Sequence, residues 1–128
     1  MCGIVGLYFK KKKLHNQLGK YLSGMLDNMS SRGPDSAGFA IYNNDSKKIF
    51  KYSLCIDDKL IANNFEIDVK KKFKDVNIKN LSDHFILQTS SSPRTIIPFI
   101  KQFYESILII GYGKSIEIFK QEEVQKKL

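Results

Sequence analysis

The second residue of the chain is a cysteine, and that position gives it chemistry an interior cysteine lacks. Removal of Met1, which a small second residue permits, leaves the Cys2 thiol beside a free α-amine on the same residue. In reference peptides the amine titrates near ~8 and the thiol near ~8.5. A base of that strength takes the thiol proton near neutral pH, directly or through a water. Nucleophile and base then share one residue, and no separate histidine is needed. Gly3 follows, and a residue without Cβ lets a substrate come close to the backbone. On its own, MCG is also an ordinary start for a strand with a small buried cysteine, and these three residues leave the choice open.

A second segment, SRGPDSAGFAIY, lies about thirty residues further on. It sets Arg32, Gly33, Pro34 and Asp35 on a loop, with Ser36 directly after and Gly38 at the start of the next strand. Arginine can fork onto a carboxylate, glycine and proline fix a tight turn, and Asp35 can cap or brace it. Alone, an RGPD turn reads as an ordinary loop with a local ion pair.

Together, MCGIVGLY, SRGPDSAGFAIY and the intervening LGKYLSGMLDNMSSRGPDS closely resemble class II glutamine amidotransferases of the N-terminal-nucleophile (Ntn) type. This is the family of the glutaminase parts of glutamate synthase, amidophosphoribosyltransferase and glucosamine-6-phosphate synthase. Within it the chain looks most like the stand-alone, glutamate-synthase-like type, as found in the glutaminase component of N-methylglutamate synthase. There an inserted lobe closes on a strand similar to GYGKSIEIFK. The resemblance implies an Ntn αββα sandwich in which Cys2 attacks the side-chain amide of glutamine, releases ammonia and forms a γ-glutamyl thioester that water hydrolyses. It makes Cys2 the nucleophile and its amine the base, sets Gly3, Arg32 and Gly33 in the pocket, and puts Asp35 and Ser36 behind them. It implies no cofactor.

The resemblance is strong over the first 54 residues and weak over about 107–120. The family also carries a GHTR-type segment whose arginine holds the glutamine carboxylate, an Asn-Gly pair that supplies the oxyanion hole, and an aspartate for the substrate amine. Neither GHTR nor Asn-Gly occurs in these 128 residues. Losing one oxyanion-hole donor costs ~2.7–4 kcal/mol, roughly a hundred- to a thousandfold in rate. The expectation is therefore a glutaminase module that is incomplete alone, either the first part of a longer enzyme or a split subunit completed in trans. Its partners would be glutamine as substrate and a synthase (ammonia-acceptor) subunit or a missing C-terminal half. The alternative is a non-enzymatic remnant serving as a small interaction or binding module.

The elements that must position these residues follow from periodicity. GIVGLY, residues 3–8, suits a buried strand. Leu14, Leu18, Tyr21, Leu22, Met25, Leu26 and Met29 trace one face of an amphipathic helix, which the Gly-Pro of SSRGP ends. AGFAIYN and KKIFKYSL, around the polar NNDSK, read as a β-hairpin. Beyond them the pattern predicts a helix within 55–73, a short strand near Val76–Ile78, a strand at HFILQTS, and a helix capped by Ser92 with Pro93 at its first position. Pro98 should kink that helix or make it restart. ILIIGY and SIEIF are strands, and the tail QEEVQKKL should fray. From Ile49 onward the order is strand, helix, strand, strand, helix, strand, the split βαβ pattern. The expected class is thus α+β: a partial Ntn αββα sandwich with an inserted small βαββαβ (ferredoxin-like) lobe over about 50–112. The chain divides into 1–54 (first part of the amidotransferase domain), 55–112 (the lobe) and 113–128 (return strand and polar tail).

With 42% hydrophobic and 27% charged residues, the composition belongs to a globular chain rather than a disordered one. The charge of +8 raises the question of nucleic acid, but Lys10–Lys13 and Lys70–Lys72 carry no interleaved aromatics and read as solvated basic faces. No nucleic acid is expected. No apolar run approaches the ~18 residues of a membrane span, so no membrane partner is expected either. The apolar N-terminal stretch precedes its basic run, the reverse of a secretory signal, which makes the cytoplasm the default. Cys2 and Cys55 make no disulfide framework, and Cys55 reads as a structural thiol. Ser90–Ser92 read as loop and cap. His15 and His84 stand isolated, without CxxC or HxxxH spacing, so no metal is expected.

Overall fold

The computed structural model describes residues 3–29, 36–43 and 48–122, apart from the side chains of Ser36, Gln121 and Glu122. The chain forms two compact units, Met1–Ala37 with Gln121–Leu128, and Gly38–Lys120. The class is α+β, with two antiparallel sheets and three α-helices among the described residues.

In the first unit, residues 3–9 have no regular structure, contrary to the strand read from GIVGLY. A strand needs a neighbour for its backbone groups, and among the described residues none pairs with this run. Ile4 accordingly stands 94% exposed. A 3-10 segment over Lys12–Gln17 then leads into α1 (Leu18–Met29). The apolar face from Leu14 to Met29 is helical as expected, except that its first turn is 3-10. Phe9 packs edge-on against Tyr21 at 5.7 Å, which ties the irregular run to the helix.

The second unit is built on a four-stranded sheet of order β3-β4-β2-β5, all neighbours antiparallel. Its strands are β2 (Phe50–Cys55), β3 (Asn77–Leu81), β4 (His84–Thr89) and β5 (Leu108–Gly113). Two helices, α2 (Lys59–Lys72) and α3 (Pro93–Phe103), cover one face. From β2 and β4, Tyr52, Leu54, Phe85 and Leu87 meet Phe65 and Val69 of α2 and Ile96 and Ile100 of α3 in one core. Burying each such side chain contributes ~1.5–3 kcal/mol. Asp58 caps α2 by accepting from the amides of Leu60 (2.8 Å) and Ile61 (3.2 Å). The basic run Lys70–Lys72 falls in the last turn of α2, where positive charge offsets the helix dipole. Within it Lys70 pairs with Glu66 at 2.7 Å, and the Lys72 ammonium lies 4.7 Å from the Phe99 ring centroid. α3 has Pro93 in its first turn and runs through Pro98 as one continuous helix, without the restart expected there.

The hairpin read from AGFAIYN and KKIFKYSL does not form. β1 (Ser36–Tyr42) pairs with β6 (Ile116–Glu122), and β2 lies between β4 and β5. Alternation identified both strands but not their partners. β2 is buried on both faces, from Lys51 to Leu54, and only a central strand can be. β6 covers the face opposite the helices: the Ile118 amide donates to Ser53 Oγ at 2.8 Å, and Glu117 meets Lys79 at 3.6 Å.

Candidate functional site

Cys2, Arg32, Gly33 and Asp35 lie outside the described residues. Gly3, the first described residue, is exposed and without regular structure. Ser36 opens β1. The RGPD segment joins the end of α1 at Met29 to that strand. Gly38, two residues into β1, has a structural reason to be glycine: a Cβ there would stand 3.0 Å from the carbonyl oxygen of Phe119 on the paired strand. The described structure thus fixes the elements flanking the expected pocket and brings none of its functional side chains together.

Other candidates can be judged directly. Ser90 donates to Asp75 at 3.2 Å, the Ser91 carbonyl accepts from the Tyr52 hydroxyl at 2.7 Å, and Ser92 precedes α3 with no side-chain cap bond. These are loop and cap contacts. Cys55 is a poor nucleophile. Burial, then the charge of Asp83 and its hydrogen bond, then Asp57, push its thiol up to about 11.

Sequence spacing missed one cluster entirely. Cys55, the last residue of β2, is the antiparallel partner of His84, the first of β4. The turn just before β4 supplies Asp83, whose carbonyl accepts from the Ile56 amide at 2.8 Å. Cys55 Sγ lies 3.6 Å from Asp83 Oδ2 and 3.8 Å from Asp57 Oδ1. His84 Nδ1 lies 2.8 Å from Asp83 Oδ1, and Nε2 lies 2.8 Å from the Lys120 carbonyl. His84 is isolated in sequence and not in space. The adjacent Asp-His at a strand start was visible, but its tie to Cys55 depends on the β2–β4 register.

Two curated relatives resemble nearly the whole chain. The glutamine amidotransferase-like protein GlxB of Rhizobium meliloti is 32% identical over 98% of this chain and 42% of its own length. A protein of Methanothermobacter thermautotrophicus named "Putative glutamine amidotransferase" is 30% identical over 94% of this chain and 43% of its own length. These similarities support a relation to the glutamine amidotransferases at the level of the family. The chain spans about two fifths of the length of the curated relatives it matches. No family model matches it, and no solved structure does. Among the described residues no helix is long and apolar enough to cross a membrane.

Proposed function

We propose that this chain carries the nucleophile-bearing part of a class II, Ntn-type glutaminase, with glutamine as amide donor. The carrying observation is the pair MCGIVGLY and SRGPDSAGFAIY, in a chain similar over nearly its whole length to proteins named as glutamine amidotransferases. The Cys2 sulfur attacks the side-chain amide carbon of glutamine while its own α-amine takes the thiol proton. The tetrahedral intermediate collapses with return of that proton to the leaving nitrogen, giving ammonia and a γ-glutamyl thioester. Water then cleaves the thioester to glutamate and restores the thiol. Gly3, Arg32 and Gly33 shape the pocket, and Asp35 and Ser36 brace it. The groups that clamp glutamine and form the oxyanion hole come from polypeptide beyond these 128 residues, and a synthase domain or separate synthase chain receives the ammonia.

The same reading takes about residues 50–112, from β2 to β5, as a ferredoxin-like lobe inserted into an Ntn sandwich. Its support is the βαββαβ order from β2 to β5, together with the strand order β3-β4-β2-β5. The pairing of β1 with β6 also brings the strands before and after the lobe together, as an insertion requires.

A glutamine-analogue electrophile tests the nucleophile. Mass spectrometry should find Met1 removed and the label on Cys2, with free glutamine protecting it and Cys2→Ser unlabelled. Absence of label at Cys2, together with no glutamine turnover when the remaining polypeptide is supplied, would sink the reading and leave a non-enzymatic module.

A further inference from the structure

Among the described residues, Cys55, Asp83 and His84 each offer one ligand atom, and these atoms lie within 4.8 Å of one another. We propose that these three side chains bind one divalent ion of borderline softness, zinc foremost, at the end of the β2–β4 ladder. The fourth position is an oxygen, from water or from the neighbouring Asp57. The site shares no residue with the Cys2 chemistry and does not depend on it.

The donor set comes first. One sulfur, one imidazole nitrogen and one carboxylate oxygen suit zinc and its transition-metal neighbours, whereas calcium and magnesium take oxygen ligands. The spacing agrees. Zinc bonds of about 2.3 Å to sulfur and about 2.0 Å to oxygen, at a tetrahedral angle, put the two ligand atoms about 3.5 Å apart. Cys55 Sγ and Asp83 Oδ2 stand 3.6 Å apart.

The histidine is held as metal-binding histidines are. Its Nε2 faces the Lys120 carbonyl at 2.8 Å, the backbone contact that fixes ring and tautomer in such sites. With that proton on Nε2, Nδ1 presents a lone pair to the Asp83 carboxylate at 2.8 Å. Two acceptors facing each other need a proton or a cation between them. A tetrahedral zinc would hold the nitrogen and a carboxylate oxygen about 3.3 Å apart, so on binding Asp83 turns to present Oδ2, the oxygen already beside Cys55. The opposite tautomer has Nε2 accepting from the Lys120 amide at the longer 3.2 Å, and metal binding would displace it.

The ligands also sit on rigid backbone. Cys55 and His84 are register partners on adjacent strands. Asp83 follows Ser82, whose φ of 58° turns the chain between β3 and β4. All three side chains are half-buried, which leaves a path for the ion. On binding, the Cys55 thiol gives its proton to solvent as the metal–sulfur bond forms. The ion would join β2 to β4 directly and, through the His84–Lys120 contact, to β6.

The test is a Co(II) titration of chelator-treated full chain in a Cys2→Ser background, so that Cys55 is the one remaining thiol. The expected result is one Co(II) per chain, with tetrahedral ligand-field bands and a thiolate-to-metal charge-transfer band that Zn(II) bleaches. Cys55→Ser should abolish the charge-transfer band, and His84→Gln should weaken binding about a hundredfold or more. Zn(II) should raise the melting temperature of the Cys2→Ser chain and leave that of the Cys55→Ser chain unchanged. A folded Cys2→Ser chain with no charge-transfer band would overturn the proposal. So would an equal band in the His84→Gln chain. Should His84→Gln fail to fold, the Cys55→Ser melting comparison decides the matter, since an undiminished zinc shift there also overturns it.

Discussion

Gly111 and Gly113 sit two apart on β5 and face β6, where the space a methyl group would need is already filled. A Cβ at Gly113 would come 2.8 Å from Ile116 Cγ2, and one at Gly111 would come 2.6 Å from Ile118 Cδ1. The shorter distance is the easier one to relieve. Cδ1 is the free end of its side chain, whereas Cγ2 is fixed on the stiff β-branch. Gly113→Ala should therefore lose ~1–3 kcal/mol by overpacking. Gly111→Ala should lose less, because the Ile118 methyl can turn away and the unfolded chain loses ~0.4–1 kcal/mol of conformational entropy. Urea midpoints would show this order, and Ile118→Val should rescue Gly111→Ala by removing the obstructing methyl. The glycines in GYGK thus let β6 lie close on the sheet, a role unlike any glutaminase motif.

At the scale of elements, α3 carries a local cost. Pro98 has no amide to give to the Arg94 carbonyl, yet the helix continues through it to Phe103. It does so because Ile96, Phe99 and Ile100 are buried in the core, and that packing outweighs one missing hydrogen bond. Pro98 itself is exposed. Pro98→Ala should then stabilise the unit by ~1–3 kcal/mol, read as a raised melting temperature. An unchanged or lowered value would mean the ring makes a contact that alanine cannot replace. The same balance explains what could be read from the sequence. Alternation in HFILQTS, the Ser92-Pro93 start and the apolar spacing from Leu18 to Met29 are local signals, and β4, α3 and α1 follow them. Partnership is not local. β1 and β6 lie more than seventy residues apart, and nothing in AGFAIYN states that it pairs with SIEIF rather than with the nearer KKIFKYSL. GIVGLY has the composition of a strand but no neighbour among the described residues. Of the candidate site, Cys2 and the RGPD loop were legible as motifs because their signal is residue identity. The Cys55–Asp83–His84 cluster was not, since only the β2–β4 register assembles it.

For the molecule as a whole, stability should be distributed unevenly between the two units. The second has a contiguous core in which Tyr52, Leu54, Phe65, Val69, Leu87, Ile96 and Ile100 are almost wholly removed from water. In the first, no residue of α1 or its 3-10 lead-in is fully buried, although Leu18, Leu22, Met25, Leu26 and Met29 line one face and are half-buried. A short helix in water draws little stability from propensity alone, so α1 depends on how fully that face is covered. Local opening free energies run from near zero for poorly packed segments up to the global value for core strands. Hydrogen exchange followed by mass spectrometry should therefore find amides in 50–55 and 84–89 the slowest, exchanging only on global unfolding. Peptides from 18–29 should exchange through local opening at a markedly lower free energy. If the proposed glutaminase is completed by further polypeptide, adding that polypeptide should raise their protection by covering more of the half-buried face. Equal protection of α1 and β2 in the isolated chain would mean that the first unit unfolds only together with the second.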